Sequence, residues 1–295
     1  MLRHDPRRGA LCMLASYALF TVMSAMVKHM AESVPVFEMM FFRSAFALPV
    51  VLLIAYRGGG IVLRTRRIGG HALRACTGIT AQSLGFYALG LLPLAEQSAL
   101  GYTQPLFVTL LAIPVLGEKV GPARWAAVLV GFLGVLIIAG GTGAGLGAGA
   151  PVLGLIAGTA QGMFSALTTM LVRQLSSTES STTITLWQSL LMAFFALLTL
   201  PFVWVTPSWG TLGLLVLMGL IGGAAQWLLT EAWASAQVSA IAPYSYAGLL
   251  WAALLGWLVW GDLPGPAMGV GAVLIVGAGL AILRTERGGR QKDKR

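Results

Sequence analysis

Charge is scarce in this chain. Only 10% of its 295 residues are Asp, Glu, Lys or Arg, against about a quarter in an ordinary soluble domain. With 57% of residues hydrophobic and a mean hydropathy of +0.82, there is too little polar surface to clothe a soluble core. The 2 cysteines, Cys12 and Cys76, make neither a disulfide framework nor a zinc site. The 3 histidines, His4, His29 and His71, are scattered near loops, and no HExxH, GxSxG or Walker sequence is present. Neither a metal, a cofactor nor an enzyme activity is therefore expected, and a self-contained ATP-driven pump lacks its nucleotide motif. The net charge of +9 comes from basic residues in loops and tails. They form no aromatic-interleaved patch, so nucleic acid is not the expected partner.

What the chain has is long apolar runs. A membrane span needs about 20 predominantly apolar residues. Such runs fall near 9–30, 35–56, 70–91, 98–116, 122–140, 153–172, 183–203, 211–233, 240–260 and 264–283. The start, Arg3 to Arg8 followed by an apolar run, superficially resembles a signal peptide. The run is nevertheless long enough to span and further spans follow, so it reads as a first helix. The glycine-rich stretch 140–150 divides the ten runs five and five. No Lys-Ser/Thr pair follows it, so it reads as a flexible linker rather than a phosphate cradle.

The two groups of five repeat one another. A shift of 145 lays Gly9, Ala15, Val27 and Lys28 on Gly154, Ala160, Val172 and Arg173. A shift of 144 lays Gly78, Ala81, Gln82, Leu84 and Ala88 on Gly222, Ala225, Gln226, Leu228 and Ala232, and Gly117-Glu118 on Gly261-Asp262. The expected organisation is a first five-helix repeat at 9–140, a linker at 141–152, a second repeat at 153–283 and a basic cytoplasmic tail at 284–295. Arg3, Arg7, Arg8, Arg57, Arg64, Arg66, Arg67, Lys119, Arg124, Arg173 and the tail share one side if both termini are cytoplasmic, and the opposite loops then hold only Lys28. Five being odd, the halves are inverted, as in many secondary transporters. The fold class expected is an all-α membrane protein of ten transmembrane helices in two inverted repeats, N-in and C-in, set in the bilayer of the cytoplasmic (inner) membrane. A homodimer is compatible with the sequence.

Polar residues within the spans are the candidates for function. Arg43 lies about eight residues, roughly 12 Å at 1.5 Å per residue, from the outer end of the second span. An arginine there costs about 2.5–3.5 kcal/mol without a partner or a wet cavity. It receives a substrate carboxylate or phosphate, or else makes an internal contact; both readings stand. Gln82 and Gln226 are repeat equivalents on stripes with Gly78, Gly85, Gly222 and Thr230, suited to a substrate path or to interhelical packing. Tyr102, Gln104 and Pro105 fall in the fourth span, where proline leaves the Gly101 carbonyl without its donor. Pro243, Tyr244, Ser245 and Tyr246 occupy the matching region of the ninth. Glu231, near a cytoplasmic helix end, is either a proton-coupling carboxylate or simply interfacial.

Tyr87-Ala-Leu-Gly, the segment from Ala99 through Tyr102-Thr-Gln-Pro105 to Phe107, and Leu116-Gly-Glu118-Lys119, together with Phe42-Arg43 and Gly261-Asp262, resemble the drug/metabolite transporter superfamily, in particular its EamA-domain members, over roughly residues 9–283. The resemblance implies a central cavity approached by Tyr17, Gln82, Tyr102, Gln104, Gln161, Gln226, Tyr244 and Tyr246. It also implies export or uptake of amino acids and other small metabolites. The match is poorer in the second half, where Asp262 replaces Glu and Gly248-Leu249 stands in place of Gln104-Pro105. The function expected is a secondary active transporter of a small polar organic metabolite, such as an amino acid or related carboxylate, working by alternating access. A non-transporting membrane scaffold or regulatory subunit is the competing class.

Overall fold

The structure, a computed structural model, describes residues 6–57, 64–116, 121–141, 150–175, 178–179, 181–235 and 242–292. Every regular element among them is helical. The first half contains α1 (Pro6–Met30), α2 (Val36–Arg57), α3 (Ile68–Leu91), α4 (Leu94–Gly101), α5 (Gln104–Leu116) and α6 (Pro122–Gly141). The second contains α7 (Ala150–Leu175), α8 (Ser181–Val203), α9 (Trp209–Ser235), a 3₁₀ turn (Ala242–Tyr246), α10 (Ala247–Trp260) and α11 (Pro266–Lys292). Five segments are long and apolar enough to cross a membrane: Arg7–Met30, Val36–Ile54, Val152–Val172, Thr183–Val203 and Trp209–Leu229. Shorter apolar helices run over Pro122–Ile138, Tyr244–Trp260 and Pro266–Ile282.

Two of the expected continuous spans are interrupted. The run 98–116 divides into α4 and α5, because Tyr102 N and Thr103 N bond back to Ala99 O (3.1 Å) and Leu100 O (3.0 Å). Such i to i−3 bonds tighten and close a helix. Pro105 then lies in the first turn of α5, where its missing N–H is not needed. Gly101 O therefore belongs to a helix end, not to the interior of a kinked helix. In the second half, the run 240–260 opens with the 3₁₀ turn before α10 begins. Residues 284–292, within the expected basic tail, continue α11 as helix. Most of the expected linker, residues 142–149, lies outside the described residues, as do Glu118, Lys119 and the side chain of Arg173.

The helices that pack most closely belong to different halves: α1 with α9, α3 with α7, α2 with α8 and α9, and α6 with α11. Under the repeat, α1 corresponds to α7 and α3 to α9, so α1–α9 and α3–α7 are one pairing made twice. The pairs α2–α8 and α6–α11 each join a helix to its own counterpart. A two-fold relation between the halves produces this pattern. Small residues permit the closest approach. A β-carbon on Gly134 would lie 2.6 Å from Gly271 O, and one on Gly271 would lie 2.5 Å from Gly134 O. Backbones of α6 and α11 therefore touch directly, as small residues allow in membrane bundles.

The main core is rich in methionine, with Met23, Met30, Met39, Met40, Met192 and Met218 all buried. Outside, Leu129, Leu133 and Leu136 on α6 and Leu250, Leu254 and Leu258 on α10 are exposed at helical spacing. Apolar stripes of this kind suit lipid contact.

Candidate functional site

Most of the polar residues singled out in the sequence gather around two cavities. The larger, of about 220 Å³, is lined by Tyr17, Phe20, Thr21 and Ser24 of α1, by Gln97, Ser98 and Gly101 of α4, by Tyr102 and Gln104, and by Gln161 and Gly248 of the second half. Tyr17, Thr21 and Ser24 stand at i, i+4 and i+7, so they share one face of α1. The interruption between α4 and α5 places Tyr102 and Gln104 at the cavity wall.

Hydrogen bonds across the halves fix this wall. The Tyr102 hydroxyl donates to Ser245 O at 2.7 Å, and its ring lies 5.1 Å from that of Tyr246. Gln97 Nε2 donates to Gln161 Oε1 at 2.7 Å, and Gln104 Nε2 donates to Thr169 Oγ1 at 2.7 Å. Glycines make the room. A β-carbon on Gly248 would come within 2.6 Å of the Tyr102 hydroxyl and 2.7 Å of Tyr17 Cδ1. The mismatch between Gln104 and Gly248 in the repeat thus has a steric cause, since two tyrosines of the first half occupy the space of a side chain in the second. A β-carbon on Gly85 would meet the Gln161 amide at 2.7 Å, which accounts for one glycine of the stripe around Gln82.

The second cavity, about 20 Å³, lies between α2, α8 and α9 and is lined by Arg43, Ser44, Gln188 and Gln226, among others. Arg43 is only 9% exposed. Its Nη1 donates to Gln82 Oε1 at 2.6 Å. The repeat brings equivalents together here. Arg43 corresponds to Gln188 and Gln82 to Gln226, and three of the four line the cavity while Gln82 holds the guanidinium.

The expected site is therefore split. Tyr17, Tyr102, Gln104 and Gln161 converge on the larger cavity, with Tyr246 packed behind Tyr102. Arg43, Gln82 and Gln226 converge on the smaller. Tyr244 is exposed and lines neither. Glu231 accepts from Arg8 Nη2 at 2.6 Å in a solvent-accessible pair at the end of α9. His71, which the sequence places simply near a loop, is buried against the Trp187 ring, 5.8 Å between centroids. Gln97, Thr21 and Ser24 were not singled out. The spacing of Tyr17, Thr21 and Ser24 was a readable signal, whereas Gln97 falls just ahead of the run 98–116.

Known proteins match along nearly the whole chain. The model of the EamA-like transporter family matches residues 7–140 and 152–284. The pseudopaline exporter CntI of Pseudomonas aeruginosa is 31% identical over 285 residues, covering 94% of this chain and 96% of the exporter. A riboflavin transporter of Vibrio cholerae is 31% identical over 280 residues, covering 93% and 92%. An S-adenosylmethionine uptake transporter of Rickettsia prowazekii is 25% identical over 279 residues, covering 95% and 93%. A solved crystal structure with 21% identity superposes at a TM-score of 0.66, over 96% of this chain and 99% of that one, which speaks for the fold alone. With both halves matched and relatives aligned end to end, the chain belongs to the EamA-like transporter family.

Proposed function

We propose that this protein is a secondary active transporter of a small polar organic metabolite, of the size of an amino acid or related carboxylate. It works by alternating access in the inner membrane, with ten spans and both termini in the cytoplasm. The larger cavity carries this reading. It lies between the two halves, at a point where a helix is interrupted. Transporters built from inverted repeats commonly hold substrate at such discontinuous helices, whose freed backbone groups need a polar cavity.

The lining favours a polar, hydrogen-bonding solute. Amides of Gln97, Gln104 and Gln161 offer donors and acceptors, and Tyr17 and Tyr102 offer phenols and flat apolar faces. Size favours a small one, since 220 Å³ falls below the roughly 300–1,000 Å³ typical of sites for drug-sized ligands. No charged side chain lines the cavity, so a net-neutral or zwitterionic solute meets no uncompensated charge. The relatives move chemically diverse metabolites, which supports transport without fixing the cargo.

The test is flux. Purified protein in liposomes, given outward or inward gradients of labelled amino acids and small carboxylates, accumulates or exchanges at least one of them. Gln161→Ala and Tyr102→Ala lower that flux at least tenfold while the protein still reconstitutes. Absence of flux and exchange across the panel removes the reading.

A further inference from the structure

Arg43 is a buried cation with no acidic partner among the described residues. The chain has ten Asp and Glu residues. Among the described residues none pairs with Arg43, and its side-chain bond is to the neutral amide of Gln82. Burying an unpaired guanidinium is costly in any low-dielectric interior. Two donors at the small cavity are buried without a partner among the described residues: Arg43 Nε and Ser44 Oγ. Ser44 itself is 3% exposed. A third donor, Gln188 Nε2, reaches the thioether of Met192 at 3.5 Å, and sulfur is a weak acceptor.

The cavity that these groups line is lined by no carboxylate, and its volume is about 20 Å³. That is room for one water-sized particle and too little for an organic substrate. A neutral water would satisfy donors and leave the charge. A single anion would satisfy both, through charge-assisted bonds from the guanidinium and bonds from the hydroxyl and amide.

We propose that Arg43, Ser44 and Gln188 form a binding site for one small inorganic anion of chloride size, separate from the larger cavity. The site lies where α2 meets its repeat counterpart α8. The anion is thus a structural counter-ion holding the two halves together at Arg43, and it is not the transported solute. This inference is independent of the cargo and of transport itself.

The experiment compares the melting temperature of the purified full-length protein in sodium chloride, sodium bromide and sodium gluconate at equal ionic strength. A ligand that binds only the folded state raises it in a saturable way. Chloride and bromide are expected to raise the melting temperature over gluconate with a defined midpoint. Arg43→Gln, which keeps a polar side chain, removes the difference, and Ser44→Ala raises the chloride midpoint several-fold. If Arg43→Gln does not fold, the Ser44→Ala midpoint and a bromide anomalous-scattering peak beside Arg43 in wild-type crystals decide. Equal melting in chloride and gluconate, meaning water in the cavity, overturns the proposal. So does a halide effect that Ser44→Ala leaves unchanged, which would place the ion elsewhere.

Discussion

Lys28 Nζ stands 3.5 Å from Asp262 Oδ2, joining the end of α1 to the turn after α10. The same ammonium donates to Leu92 O at 2.9 Å and sits 5.3 Å from the Trp260 ring centroid. One cation therefore fastens three segments from both halves. The carboxylate side chain is 35% exposed, and exposed ion pairs contribute about 0–1 kcal/mol. A hydrogen bond from a charged donor to a carbonyl contributes about 1.5–3 kcal/mol.

Removing the cation should accordingly cost more than removing the anion. Lys28→Met is expected to lower stability by about 2 kcal/mol, and Asp262→Asn by less than about 1 kcal/mol, as read from denaturation in detergent. Equal losses would mean that the ion pair, and not the bond to Leu92 O, dominates the junction.

Tyr102 offers a test of the cavity wall. Tyr102→Phe deletes only the hydroxyl that bonds Ser245 O at 2.7 Å, and a net hydrogen bond amounts to about 1 kcal/mol. The variant should fold, lose about 1 kcal/mol of stability and weaken apparent substrate affinity several-fold. A Phe variant that transports with wild-type affinity would show that this bond does not position substrate.

The contact between α6 and α11 predicts a sharp contrast among glycines. Gly271→Ala puts a β-carbon against the Gly134 carbonyl, while a β-carbon on Gly269 has nothing within 4 Å. Overpacking costs about 1–3 kcal/mol. Gly271→Ala should therefore lower the melting temperature clearly, and Gly269→Ala should leave it unchanged or slightly raised. Indistinguishable melts would mean that the two helices do not touch.

Glu231 separates two roles. In its pair with Arg8 the side chains are 30% and 55% exposed, so Glu231→Gln is expected to change stability by less than about 1 kcal/mol. Flux should stay within twofold of wild type at every pH between 6 and 8 (roughly, the range in which most carboxylates are ionised). Loss of coupling to a pH gradient, with binding retained, would instead make Glu231 a proton carrier.

The sequence disclosed the scaffold better than the site. Glycines and glutamines at a fixed shift announced the repeat, because helix packing in membranes demands small residues at the same places in both halves. The polar faces of α1 and α3 were readable from helical spacing. The interruption at Tyr102 was not: a tyrosine and a threonine inside an apolar run carry no breaking signal, and Pro105 marked only a missing donor for the Gly101 carbonyl. Nor could spacing reveal that Arg43 faces α8 and α9 while Tyr102 and Gln161 face a different space. That division depends on which helices of opposite halves lie side by side, and periodicity within one helix says nothing about its neighbours.

The direct contact of α6 with α11 also bears on how such a molecule moves. These are the last helices of their halves, and where two main chains meet with no side chain between them there is no lubricating layer. They cannot slide past one another without first lifting apart. Through this contact α6 and α11 behave as a single spine, and Tyr102 packs against the cluster that holds Ile138 of α6 and Ile275 of α11.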